Sequence, residues 1–440
     1  MAALLFGYMI CLAASGIFRH IGNPKKYPLF YKSYIIAWHT FLPSPAFKAL
    51  ISLTTYNTGD FRPIYEAAFN NRRLPHYRMY DTEHLAHFRP SLAAHESTFV
   101  YTPFAALLVS PLVMLDMSLE EAACTINVVN HVFWICAAII LFLILTHHQK
   151  PLFIISFLFI LQYLSFYPLA KTLQLMQATM IIFFCLVLSV FFLQRHKEVA
   201  AGLMMALSAS IKPHLILVLV PLFINRYFPR RMLISSVVGI IFTGLVSLFY
   251  AGIENCLDYV FHMLPTLSRG YAFYPNKGIN GLLLRLFTDE DQTICNLAQQ
   301  VPWIMTITSL FGLCLLVAAT FACFLRTQQD KDDCNNVLCF TIAITAIILA
   351  SPVCWEHHLS ILALSFCVAV NTVWRNPKLR TRFIDAFFLI SFLLVSCYFD
   401  TQYFSGFPMA LLSSLEYYGA ILLLGCLVDL MLKQKREQAN

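Results

Sequence analysis

Apolar stretches recur along this chain at near-regular spacing, at about 99–116, 122–146, 151–169, 173–194, 198–225, 231–252, 301–325, 336–352, 358–374, 383–401 and 407–432. Each is near the roughly 20 residues that a helix needs to cross a bilayer. The sequence therefore predicts an all-α polytopic transmembrane helix bundle. Of the 440 residues 59% are hydrophobic and 12% charged, against about 25% charged in soluble domains. A length of 440 would otherwise allow two or three soluble domains, but the apolar segments continue to the end. Residues 1–440 are read as one transmembrane unit. The formal charge of +7 comes mostly from short loops, which excludes nucleic acid as a partner and carries topology instead. The 14 cysteines form no CxxC pair and no Cys/His ligand spacing, so most read as small buried hydrophobes. A disulfide among Cys256, Cys295 and Cys354 is the alternative if their side is oxidising.

The order of segments sets the expected topology. Met1–Phe18 is apolar but has neither a basic leader nor a small-residue cleavage site, and reads as a retained helix. Tyr34–Tyr56 either crosses or lies in the interface, and Pro43, Pro45 and Lys48 favour the interface. Lys212-Pro213 splits 198–225 into two half-helices, because proline removes a backbone hydrogen bond. Counting that stretch as one crossing gives about twelve spans with both termini inside. Two long loops, about 19–98 and 253–300, then face outward. Arg226/Arg230/Arg231, Arg375/Lys378/Arg380/Arg382 and Lys433/Lys435/Arg436 fall on one side, the cytoplasm. Glu120 and Glu121 sit at a cytoplasmic helix start, whereas His147–Lys150 and Arg195–Lys197 are left outside, against the positive-inside rule.

Chemistry with a polar substrate falls in the first loop and at outer helix ends. Asp60 is followed by Arg62, Tyr65 and Glu66, and later by Asp81, Glu83, His84 and His87. Lys171, Gln174 and Gln177 stand near the start of a span; Asn276, Lys277, Asn280 and Arg285 lie in the second loop; Trp355-Glu356-His357-His358 separates two spans. A carboxylate at a membrane surface suits a general base acting on an acceptor hydroxyl, with Lys, Arg or His neutralising a departing phosphate. The competing reading makes Asp60 an N-cap for the helix carrying Tyr65. For His357 and His358 the competing reading is an interfacial cap with Trp355 as anchor. Lys212 reads more simply as a snorkelling or backbone-satisfying residue. No P-loop, dinucleotide-binding glycine pattern, HExxH or nucleophile elbow is present.

Five pieces in order, TGDFRPIYEAA, FVYTPFAALLVSPL, AAGLMMALSASIKPHLILVLVPLFINRYFPRR, PNKGINGLLLRLF and SPVCWEHHLSI, resemble the integral-membrane glycosyltransferases of family 87. That family lies in the C-class superfamily with the polyprenol-phosphate-mannose-dependent mannosyltransferases. The resemblance runs from about residue 58 to 375. Lys277 and Gly278 stand where similar proteins carry Gln and Ser, and Tyr-Thr-Pro stands for Tyr-Pro-Pro.

The resemblance implies a C-class glycosyltransferase fold with the catalytic acid on the first outer loop. A lipid-phosphate-linked sugar enters from the bilayer, and a single inverting displacement releases the polyprenyl phosphate. Asp60 matches the acidic residue and becomes the general base. Lys277, Arg285, His357 and His358 are candidates for the donor phosphate and sugar; Arg62, Tyr65, Tyr101, Gln174, Asn276, Asn280, Trp355 and Glu356 are candidates for substrate contacts. No cofactor is expected. The leaving monophosphate can be neutralised by protein cations, so no metal is assigned to Asp81, Glu83, His84 and His87. The expected function is transfer of a hexose, mannose or a relative, to a glycolipid or polysaccharide acceptor on the outer face of the cell (inner or plasma) membrane. The alternatives are a transporter or flippase of a lipid-linked saccharide, and a polysaccharide polymerase or ligase. A transporter would bury charges mid-span in repeated halves, and no repeat is visible.

Overall fold

The computed structural model describes residues 58, 60–74, 76–80, 99–146, 159–160, 162–293, 295, 297–325, 333–396 and 410–439. Met1–Phe18, Tyr34–Tyr56 and the group Asp81, Glu83, His84 and His87 lie outside the described residues. Within them the chain is an all-α bundle, with one isolated β-bridge between Asn276 and Trp355. In order the helices are α1 (Arg62–Arg73), α2 (Pro103–Met114), α3 (Leu119–Leu145), α4 (Tyr167–Gln174), α5 (Thr179–Leu193), α6 (Glu198–Ile211), α7 (Leu219–Ile224), α8 (Arg230–Asp258), α9 (Ile279–Phe287), α10 (Pro302–Phe324), α11 (Asp333–Ala350), α12 (Leu362–Arg375), α13 (Arg382–Ser396) and α14 (Leu415–Ala439).

Five stretches are long and apolar enough to cross a membrane: Leu119–Leu145, Arg230–Leu267, Pro302–Phe324, Glu356–Arg375 and Leu415–Gln434. They coincide with expected segments, but the second overruns its expected end at 252. Gly252 holds φ +80°, and the helix then continues through a π turn, Tyr259–Met263, to Leu267. The first part of the expected 253–300 loop is therefore helical. Phe242 and Phe249 on α8 are exposed, at 65% and 87%, as side chains facing lipid would be. In contrast, α11 is apolar all round and buried on every side from Val337 to Leu349, which makes it the centre of the bundle.

Two local features redraw the expected path between residues 99 and 225. The stretch 198–225 is two antiparallel limbs rather than one broken crossing. Lys212 is extended (φ −124°, ψ 95°), as the residue before a proline tends to be. Near the other end of α6, Gly202 packs so tightly on α8 that an added Cβ would collide with the Met232 carbonyl. On the returning limb, the Phe223 carbonyl accepts from Arg230 of the same α8 at 3.3 Å. Both free ends thus meet the start of α8, and Lys212-Pro213 is the vertex. Hydropathy could not show this, because both limbs are equally apolar.

The second feature is α2. Its 12 residues, with Pro111 inside, extend only about 18 Å. Beyond its end the Met117 carbonyl accepts from the Tyr65 hydroxyl at 2.5 Å, and Val113 accepts from Arg72 at 2.7 Å. Both donors belong to α1, the helix just after Asp60. The turn at 115–118 therefore stays with the first loop, and the expectation that 99–116 crosses away from it is corrected. A capping box between Ser118 and Glu121 then starts α3, which places the Glu120/Glu121 helix start on the Asp60 side. The other end of α3 reaches Asn371 of α12, which donates to the Ile144 carbonyl at 3.1 Å.

Candidate active site

The polar side chains collect where the helices reverse. Asp60 is half-buried just before α1, yet it does not cap that helix: Phe61 is the N-cap residue and no side chain caps it. The carboxylate instead accepts a short hydrogen bond from Gln177 Nε2. Gln177 is fixed in turn by the Tyr101 hydroxyl, which donates to its Oε1 at 2.7 Å. That bond sets the amide so that its NH2 faces the carboxylate. Burial pushes the Asp60 carboxyl above the usual carboxylate range, while the Gln177 hydrogen bond, Lys171 and Lys212 pull it back down.

Local backbone explains why Gln177 and not Gln174 is the partner. Helix α4 ends at Gln174, which is exposed; Met176 then takes a left-handed conformation (φ 49°) and turns Gln177 inward. Gln177, three residues after the expected Gln174, is therefore the amide that meets Asp60.

Cations face this carboxylate. Lys212, at the vertex of the two limbs, donates to Thr179 Oγ1 at 3.0 Å and makes no ion pair among the described residues. Its charge is felt by Asp60, His357 and His358. The two imidazoles stand edge to face, 4.6 Å between centroids, on the 3-10 turn Glu356–Ile361. The His357 carbonyl accepts from Thr172 of α4 at 3.2 Å, which ties this turn to the Lys171 helix. A compensated network lies alongside: Lys171 pairs with Glu356 at 3.2 Å, and Lys277 reaches Glu356 at 3.8 Å and Glu416 at 3.1 Å. Two lysines and two glutamates pair in this network, whereas Lys212 near Asp60 has no carboxylate partner among the described residues. Lys277, expected on the donor phosphate, is 1% exposed and held by two carboxylates in this structure. Glu356, expected on substrate, occupies the centre of the same network.

The second loop is clipped to the His357 loop by buried amides. Asn276 donates to the carbonyls of Tyr271 (3.0 Å) and Pro352 (3.4 Å) and accepts from the Cys354 backbone at 2.9 Å. Arg285 donates to the Asn276 carbonyl at 2.8 Å and to Ser414 Oγ at 2.7 Å. Asn280 donates to Arg269 at 3.3 Å. In this structure Asn276 and Asn280 hold backbone carbonyls and Arg285 holds the Asn276 carbonyl and Ser414, while Asn280 Oδ1 and Arg285 Nε have no hydrogen-bond partner among the described residues. Gly270 (φ +78°) allows that approach, since a Cβ there would strike Asn280. Trp355 packs on Tyr271 and Phe273, at 5.1 and 6.1 Å between centroids, so its ring braces the loops.

Of the first-loop candidates, Arg62 pairs with Glu66 at 2.7 Å. Tyr65 is spent on the Met117 carbonyl and is not brought to Asp60 through any described contact. Sequence reasoning grouped Gln177 with Lys171 and Gln174 but carried only Gln174 forward, passed over Glu416 and set Lys212 aside; a lysine before a proline between two apolar limbs was the available signal. Cys256, Cys295 and Cys354 are free thiols. Among the described residues no group of three metal-type ligands converges.

A carboxylate held by an amide relay, with a buried lysine and two histidines near the reversals of apolar helices, makes this the candidate site of a membrane-spanning bundle. The sequence profile of glycosyltransferase family 87 matches residues 99–352, more than half of the chain, and the chain belongs to that family of GT-C type membrane glycosyltransferases. The match covers the Tyr101, Gln177 and Lys212 elements; Asp60 and His357/His358 lie outside it. No curated protein and no solved structure matches the chain.

Proposed function

We propose that this glycosyltransferase moves a hexose, mannose in the first instance, from a polyprenyl-phosphate-linked donor to an acceptor hydroxyl, with inversion at the anomeric carbon. Asp60 takes the acceptor proton as the hydroxyl oxygen bonds to the anomeric carbon, and the bond to phosphate breaks with its electron pair leaving on the phosphate. Lys212, His357 and His358 meet the phosphate charge as it grows. The observation that carries this reading is the Tyr101–Gln177–Asp60 relay aimed at a site that also holds the uncommitted Lys212. A lipid-linked donor fits it, because the apolar tail stays in the bilayer while the charged head reaches a site at helix ends.

The redrawn chain path supports a topology for this site. With 99–116 removed and 198–225 counted twice, twelve crossings remain if Met1–Phe18 is one of them. His147–Lys150 and Arg195–Lys197 then join Arg226/Arg230/Arg231, Arg375/Lys378/Arg380/Arg382 and Lys433/Lys435/Arg436 on one face, in line with the positive-inside rule, whereas Arg19, His20, Lys25 and Lys26 stay on the Asp60 side of Met1–Phe18. Asp60 lies toward the opposite face, the periplasmic or extracellular side of the cell membrane.

The test is transfer of radiolabelled mannose from synthetic polyprenyl-phosphate-mannose by purified protein in nanodiscs. Asp60→Asn is expected to lose at least about a hundredfold in rate, the scale of a removed general base. Equal rates in both proteins would sink the assignment of Asp60. A buried lysine at a chain reversal is also what a transporter's broken helix presents, so a flipping assay runs beside the transfer assay.

A further inference from the structure

The buried ion network beside the site ends on a carboxylate that the proposed chemistry does not use. Glu416 stands in the first turn of α14, 1% exposed, well beyond the segment that the family profile matches. It pairs with Lys277 of the second loop at 3.1 Å. Lys277 also approaches Glu356 Oε2 at 3.8 Å, while Glu356 Oε1 pairs with Lys171 of α4 at 3.2 Å. Charges therefore alternate along a line, Glu416, Lys277, Glu356, Lys171, from the C-terminal helix to the helix beside Asp60. An apolar residue would start a membrane helix without the desolvation that a sealed carboxylate suffers, so a carboxylate at that place marks a use.

The unequal distances point to the use. Lys277 stands closer to Glu416 than to Glu356, which leaves Glu356 to Lys171. Lys171 is the member of the line whose charge reaches Asp60 and His357. Asp60 also feels Lys212; Gln177, the Tyr101 hydroxyl and the Cys295 thiol of the second loop face it uncharged. Around Glu416, Arg285 and Cys354 also feel its charge, and the Arg285 guanidinium is held by the Asn276 carbonyl and Ser414.

We propose that Glu416 is a positioning residue for transfer: by holding Lys277 it keeps Glu356 on Lys171, and so limits the positive charge that α4 brings to Asp60 and His357. The kinetic part rests on Asp60 as the base, whereas the hold on Lys171 is independent of that reading.

Glu416→Gln keeps the shape of the side chain and removes its charge. Lys277 then draws Glu356 to itself, Lys171 is released, and the added positive charge favours the Asp60 carboxylate. The acid limb of kcat/KM against pH should move to lower pH by about half a unit, the scale of one partly buried charge. Lys171, already partly exposed, should react with acetic anhydride in nanodiscs about tenfold faster, since it loses a hydrogen bond between charged groups. Mass spectrometry of the Lys171 peptide reads this without turnover. Glu356→Gln, which releases Lys171 directly, gives the reference for full release.

Lys277→Met combined with Glu416→Leu replaces the buried pair by apolar side chains of similar volume, a change that commonly leaves folding intact. Glu356 then stays with Lys171, and both the limb and the labelling should return to wild-type values. A strut with no electrostatic role would make this double variant no better than Glu416→Gln. Unchanged Lys171 labelling in Glu416→Gln, or labelling in the double variant as fast as in Glu356→Gln, would overturn the inference. So would a limb that moves in Gln177→Leu and not in Glu416→Gln. A limb that moves in neither removes Asp60 as the base, and the Lys171 labelling still decides whether Glu416 holds the line.

Discussion

At the scale of single residues, Asp60 is set by two opposed influences. Burial raises its carboxyl, and the Gln177 amide with Lys171 and Lys212 lowers it again. A general base works deprotonated, so kcat/KM should rise with pH as Asp60 loses its proton. Gln177→Leu removes a group that favours the charged form, so the acid limb of that profile should move to higher pH. An unchanged limb, measured from kcat/KM against pH, would separate Gln177 from the base. Asp60 stood out in the sequence as a candidate from its place in a polar loop. Its partner was not, since the choice between Gln174 and Gln177 depends on one left-handed residue, Met176.

At the scale of elements, the second loop matters as a brace for the His357 turn. Asn276 joins Tyr271, Pro352 and Cys354 through three buried bonds. Asn276→Ala should cost about 1–3 kcal/mol, the scale of buried groups left unpaired. The expected result is a lower unfolding midpoint in detergent together with slower transfer, because the Glu356–His358 turn loses its clip. A variant that keeps full stability would show that Arg285 alone holds the loop. The sequence grouped Asn276, Asn280 and Arg285 as candidates, but polar residues between membrane spans look alike whether they hold a ligand or a backbone. The carbonyls that receive them come from distant positions.

At the scale of the whole molecule, the two corrections to the chain path make opposite claims about the membrane face of two loops. The sequence reading puts Asp116 inside and Lys197 outside; the contacts of α1 with Met117, and of α6 and α7 with α8, reverse both. In a background with the native cysteines replaced, Asp116→Cys should react with an impermeant maleimide from the Asp60 face of sealed vesicles, and Lys197→Cys from the other face only. The opposite pattern would restore the earlier path.

The sequence by itself determined the class of the molecule. Apolar runs of bilayer length and few charges leave helices as the form, and a polar loop in such a chain marks where a polar substrate is met. Family membership followed from motifs in order. Tertiary structure alone decided which apolar runs cross and which polar groups converge. Hydropathy counts residues without direction, so it cannot tell a 12-residue helix beside a loop from part of a span, or one broken helix from two antiparallel limbs. Lys212 and Lys277 have the same formal charge in the sequence. Only packing surrounds one with carboxylates and leaves the other facing Asp60.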